Sequence, residues 1–135
     1  MPETLEDYWP DDLAPVEDSA PVAFLKELAR ALQSKTNGTV RAEVTSNTVE
    51  GTVYHSLYLK APHLGDYGFK VLYLSHPITR DASSPFPIKA QDSFGGSILE
   101  FRNLDDLKEW LKPVLTSKEV KAVIRNLRHQ SRVTL

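Results

Sequence analysis

Cysteine is absent from all 135 residues, and methionine occurs once. That removes disulfide frameworks, thiolate metal sites, iron–sulfur clusters and cysteine nucleophiles. Long apolar runs are missing as well, none coming near the roughly 18 residues that cross a bilayer. The opening residues have neither the basic start nor the apolar middle of a signal peptide, so a soluble cytoplasmic protein with no membrane partner is expected. The six glycines fall as Asn37-Gly38, Gly51, Gly65, Gly68 and Gly95-Gly96, never in dinucleotide-binding or P-loop spacing. The sequence also lacks a Gly-x-Ser-x-Gly elbow and a His-Glu-x-x-His helix. No cofactor and no metal site is expected, and the missing motifs point away from an enzyme.

What is present is enough for a core. Leu, Ile, Val and Phe together number 37 of 135 residues, above the roughly 20% below which highly charged chains stay unfolded. The length suits one domain. Charge is unevenly spread: residues 1–20 hold seven acids (Glu3, Glu6, Asp7, Asp11, Asp12, Glu17, Asp18) and no base, whereas the rest carries 16 bases against 11 acids. Pro2, Pro10 and Pro15 add to this, and residues 1–18 read as an acidic, disordered tail ahead of a single domain over 19–135. Within the tail Leu5, Tyr8 and Trp9 stand at i, i+3 and i+4, one face of a short helical turn that Pro10 stops. Such a face can dock on a partner or on the chain's own basic surface, and the alternative is a solubilising leader with incidental aromatics.

Periodicity sets out the folded part. Val22, Leu25, Leu28, Ala29 and Leu32 recur at helical spacing and Asn37-Gly38 supplies a stop, predicting a helix over 21–35. Period-two alternation then predicts a strand from Val40 to Thr45, a turn around Ser46 to Gly51, and a second strand with Val53, His55, Leu57 and Leu59 on one face and Tyr54, Ser56, Tyr58 and Lys60 on the other. A third strand, 67–75, is apolar on both faces and reads as a central strand covered on each side. Pro85 and Pro87 make 86–90 an edge strand or a loop, and 97–102 a last strand. Asn103 is a good N-cap for a helix with Asp105 and Asp106 in its first turn, and Thr116-x-x-Glu119 has capping-box spacing for another helix reaching about Gln130. The fold class is therefore α+β: an antiparallel meander of four or five strands, one N-terminal and two C-terminal helices, packed mainly on one face. The same order is common among small bacterial proteins.

The most specific pattern is in the last helix, where Lys118, Lys121, Arg125, Arg128 and Arg132 step by three, four, three and four along one stripe. Residues 117–135 thus make a local positive potential, next to an apolar stripe of Val120, Val123, Ile124 and Leu127. The plain interpretation is a solvated outer face; the functional ones are docking of an acidic peptide or protein surface, or binding of nucleic acid. Tyr54 and Tyr58 share a strand face and could stack bases, although packing under a helix suits them better. His55 reads as a hydrogen-bonded core histidine, and His129 as a cation at a helix end. Glu50, Ser75, His76, Arg80 and Asp81 belong to one end of the meander and could converge on a polar acid–base site, a small hydrolase or nuclease, with a plain surface loop as the alternative. The reading that combines these is a small, non-catalytic protein-binding or regulatory module, an adaptor or an immunity-like inhibitor, using the basic helix face together with Leu5, Tyr8 and Trp9. Nucleic-acid binding through the same helix is the alternative.

Overall fold

The structure, a computed structural model, describes residues 20–65, 67–78 and 86–134, with side chains from residue 21 to 131 apart from Tyr67. Leu5, Tyr8, Trp9, Arg80 and Asp81 lie outside the described residues, and so does the side chain of Arg132. The elements run α1 (Ala20–Lys35), β1 (Arg41–Val49), β2 (Thr52–Ala61), a short 3-10 turn (Pro62–Leu64), β3 (Tyr67–Pro77), β4 (Ile88–Asp92), β5 (Leu99–Phe101), α2 (Leu104–Leu115) and α3 (Lys118–Thr134). The strands form one antiparallel sheet in sequence order, β1-β2-β3-β4-β5. This is the expected α+β meander with one leading and two closing helices. Among the described residues, no helix is long and apolar enough to cross a membrane.

Local chemistry explains the element ends. Asn37 and Gly38 both take positive φ, 53° and 77°, and the Gly38 N–H bonds the Gln33 carbonyl at 2.9 Å, closing α1 as a Schellman motif. Asn103 Oδ1 accepts from the Asp106 N–H at 2.8 Å and caps α2. The capping hydroxyl of α3 is that of Ser117, which accepts from the Val120 N–H at 3.2 Å, and not that of Thr116, which donates back to the Lys112 carbonyl. The N-cap is thus one residue later than expected, and with Val120 at the third helical position the expected capping box does not form.

Three expectations about the sheet are corrected. β1 does not stop at Thr45 but pairs with β2 as far as Val49↔Thr52, because Glu50 and Gly51 (φ 49° and 79°) form a two-residue type I′ turn that needs no more chain. β4 is no edge: it starts beyond both prolines and pairs with β3 on one side and β5 on the other. β3 packs against described helices on one face only. Its register slips opposite Leu57/Tyr58, leaving Val71 as an extra residue, so Val71 and Leu72 are both fully buried while Lys70 and Tyr73 return to the outer face.

Directly opposed residues in antiparallel strands share a face. One face therefore carries Leu57, Leu59, Leu72, Leu74, Ile88 and Ala90, which pack with Leu25, Leu107, Leu111, Val120 and Leu127 from the helices into one cluster. The other face holds Tyr54, Tyr58, Lys60, Lys70, Tyr73 and Lys89, none of which joins it. Leu72→Ala, a truncation at a side chain with no exposure, is expected to lower unfolding free energy in urea by about 2–5 kcal/mol. Ile98→Ala, at a site 55% exposed, is expected to change it by less than about 0.5 kcal/mol.

Candidate functional site

Three surfaces carry chemistry. The first is the outer side of α3. Val120 and Leu127 are buried, Val123 and Ile124 half-buried, and Lys118, Lys121, Arg125 and Arg128 exposed. Helical periodicity alone produces this division, since residues three and four apart stack on one side. Lys121, Arg125, Arg128, His129 and Ile124 line a shallow groove of about 480 Å³. Among the described residues no carboxylate lies within ion-pair distance of these four cations; the ion pairs present are Lys60–Glu43 at 3.1 Å and Arg102–Glu100 at 4.0 Å, both elsewhere.

The second surface is the face of the sheet on which no described helix packs. Tyr54 and Tyr73 meet at 5.8 Å between ring centres, the Lys70 ammonium stands 5.5 Å from the Tyr73 ring, and the Tyr73 hydroxyl donates to Gln91 Oε1 at 3.0 Å. Contrary to the expectation from sequence, the tyrosines of β2 do not pack under a described helix; they are half-buried on the other face of the sheet. Ser56 and Ser75, on the same face, are only 6% exposed.

The third lies on the core face of the sheet. Ser46 on β1 stands directly opposite His55 on β2, and His76 on β3 stands diagonal to it, opposite Val53. Diagonal neighbours on one face are within reach of ring side chains. Ser46 Oγ is 2.6 Å from His55 Nδ1, the two Nε2 atoms are 3.0 Å apart, and His76 Nδ1 is 3.1 Å from the Pro77 carbonyl oxygen. His55 is 8% exposed; Ser46 is exposed.

The acceptors fix the proton positions. A carbonyl oxygen only accepts, so His76 carries its hydrogen on Nδ1 and, as a neutral ring, presents a bare Nε2. His55 then donates from Nε2, which leaves its Nδ1 to accept from the Ser46 hydroxyl. The reverse direction would require a doubly protonated His76.

Sequence reasoning placed His76 with Glu50, Ser75, Arg80 and Asp81. The structure separates Ser75, whose side chain is on the opposite sheet face beside Tyr54, and leaves Glu50 exposed in the β1–β2 turn. The true neighbours, Ser46 and His55, were missed because Ser46 was assigned to a turn. A two-residue Glu50-Gly51 turn was the available signal, since it would have extended β1 and set Ser46 opposite His55. His63, in the 3-10 turn, is at the other end of the sheet, as the meander requires. Among the described residues no three His, Asp or Glu side chains group as a metal site. Comparison with protein-family models, with curated proteins and with solved structures finds no match to this chain.

The proton order is directly measurable. Long-range proton–nitrogen NMR of the neutral rings is expected to show His76 as the Nδ1–H tautomer and His55 as the Nε2–H tautomer. The opposite tautomer on either ring would contradict the hydrogen-bond directions assigned here.

Proposed function

We propose that the protein is a small binding module, an adaptor or an inhibitor of the immunity type, that docks the outer face of α3 on an acidic surface of a partner protein. The observation that carries this reading is the unpaired row of Lys118, Lys121, Arg125 and Arg128, exposed over three helical turns with no described carboxylate to neutralise it. Rows of one sign raise the encounter rate with the opposite sign and keep away like-charged surfaces. The half-buried Ile124 at the base of the groove adds an apolar contact that a partner side chain can cover. A cytoplasmic partner fits a chain in which no described helix can span a membrane.

Nucleic acid is the weaker occupant. Single-strand binders combine a cationic track with aromatic rings on which bases stack. Here the two are on opposite sides of the molecule: the helices occupy one face of the sheet, and Tyr54, Tyr58 and Tyr73 the other. A strand following Lys121, Arg125 and Arg128 is therefore turned away from Tyr54, Tyr58 and Tyr73. The acidic residues 1–18 also match what the face attracts, and an intramolecular segment competes at high effective concentration with any external one.

The test is capture from nuclease-treated lysate by the full chain and by the triple variant Lys121→Glu, Arg125→Glu, Arg128→Glu. A discrete protein held by the wild-type chain and lost from the triple variant is expected, with retention that weakens as salt is raised. Retention of the same protein by the variant, or a profile that disappears with nuclease, overturns the reading.

A further inference from the structure

We propose that Ser46, His55 and His76 form a nucleophilic site for acyl transfer, taking small carboxylic esters as substrate. In it Ser46 Oγ attacks, His55 Nδ1 is the base, and His76 is a positioning residue. This goes beyond the binding role and does not depend on it, since α3 contributes none of the three residues.

The first observation is the directed hydrogen-bond chain. A hydroxyl is a weak nucleophile unless a base takes its proton as the new bond forms, and the base works when a third group holds it in the correct tautomer. The Pro77 carbonyl fixes His76, His76 Nε2 fixes His55, and the base nitrogen of His55 is left 2.6 Å from Ser46 Oγ. As His55 gains the Ser46 proton it becomes an imidazolium, which His76 stabilises by accepting the hydrogen bond from Nε2.

The second is the ring geometry. The two imidazole centres are 5.2 Å apart with 3.0 Å between the facing nitrogens, so ring centres and nitrogens are almost in line. Nitrogens aimed at each other share a proton. Two ligands of one metal would aim instead at a common third point, about 2.0–2.1 Å from each. The site is therefore built for proton transfer.

The third is access. His55 is nearly enclosed, which protects the base from water, while Ser46 is exposed on β1, the terminal strand of the five. Alternate backbone N–H groups along a strand paired on one side are not used by the sheet. On β1, paired with β2 alone among the described strands, such groups are available to the oxygen of an attacked carbonyl.

The steps balance without a cofactor. Oγ bonds to the acyl carbon as its proton passes to His55 Nδ1, and the carbonyl electron pair moves to oxygen. Collapse of the tetrahedral adduct breaks the bond to the leaving alkoxide, which takes the proton from His55. A water then attacks the Ser46 ester by the same route, releasing the carboxylic acid and restoring the hydroxyl.

The experiment treats the full chain with a fluorophosphonate, which phosphonylates activated serines, and follows p-nitrophenyl acetate hydrolysis in parallel. One adduct per chain is expected, located on the peptide carrying Ser46 and absent from Ser46→Ala. His55→Ala is expected to slow both labelling and turnover at least 100-fold, the lower range for loss of a general base. His76→Gln, whose carbonyl can still accept from His55, is expected to keep more than a tenth of the activity, while His76→Leu loses it. Circular dichroism establishes that each variant is folded. Absence of an adduct on the wild-type chain, or labelling that is unchanged in folded His55→Ala, overturns the proposal. Equal loss in His76→Gln and His76→Leu overturns the positioning role.

Discussion

Everything in this fold depends on one apolar interface, between a single face of the sheet and the helices laid across it. A five-stranded antiparallel sheet presents two faces, and this chain supplies large apolar side chains for one of them. The bulge at Val71 keeps that arrangement intact: without the extra residue, the alternation set by Phe69 would turn Leu72 and Leu74 outward, and a one-residue slip exchanges every side chain between faces. Two fully buried neighbours, Val71 and Leu72, are the local result. With the described helices confined to one side, Tyr54, Tyr58 and Tyr73 are left on the other face, and the polar side of α3 is left facing away from the sheet.

The register that fills the core also assembles the serine–histidine chain. Opposed pairs run Ala42↔Leu59, Val44↔Leu57, then Ser46↔His55 along the same face. Polar residues thus occupy the positions that continue the apolar ladder toward the β1–β2 turn. A buried histidine is tolerated there because both of its ring nitrogens are hydrogen-bonded, and no described buried side-chain polar atom lacks a partner. The site is an extension of the core in which hydrogen bonds replace hydrophobic contacts.

Much of this was legible from residues that act locally. Asn37-Gly38 ends α1 and Asn103 begins α2 through interactions spanning only a few residues. The faces of β2 follow from strict alternation, and the exposure of Lys121, Arg125 and Arg128 from helical spacing. What failed was non-local or involved competing signals. Ser46-Asn47-Thr48 is polar and so resembles a turn, yet pairing with β2 keeps it extended to Val49. The prolines at 85 and 87 suggested an edge, whereas the strand begins just after them and gains partners on both sides. The bulge in β3 hides in a run of apolar residues that has no alternation to break. His55 and His76 are 21 positions apart, and no spacing rule joins them; only the diagonal offset created by the strand register does.

The two candidate surfaces are under different physical constraints. The basic row on α3 is a matter of surface composition: its side chains are exposed, and exchanging them alters charge without touching Val120 or Leu127 beneath. Its partner can therefore change through substitutions that leave the fold alone, as suits a docking face. The Ser46–His55–His76 chain has no such freedom. Ser46 and His55 belong to the same ladder as Val44↔Leu57, so a one-residue slip of β1 that took Ser46 Oγ off the face of His55 would also turn Ala42 and Val44 outward. The backbone positions of the site are consequently set by the sheet. That placement is what a base 2.6 Å from a hydroxyl requires, because proton transfer in concert with bond formation depends on having the two atoms together before the substrate arrives.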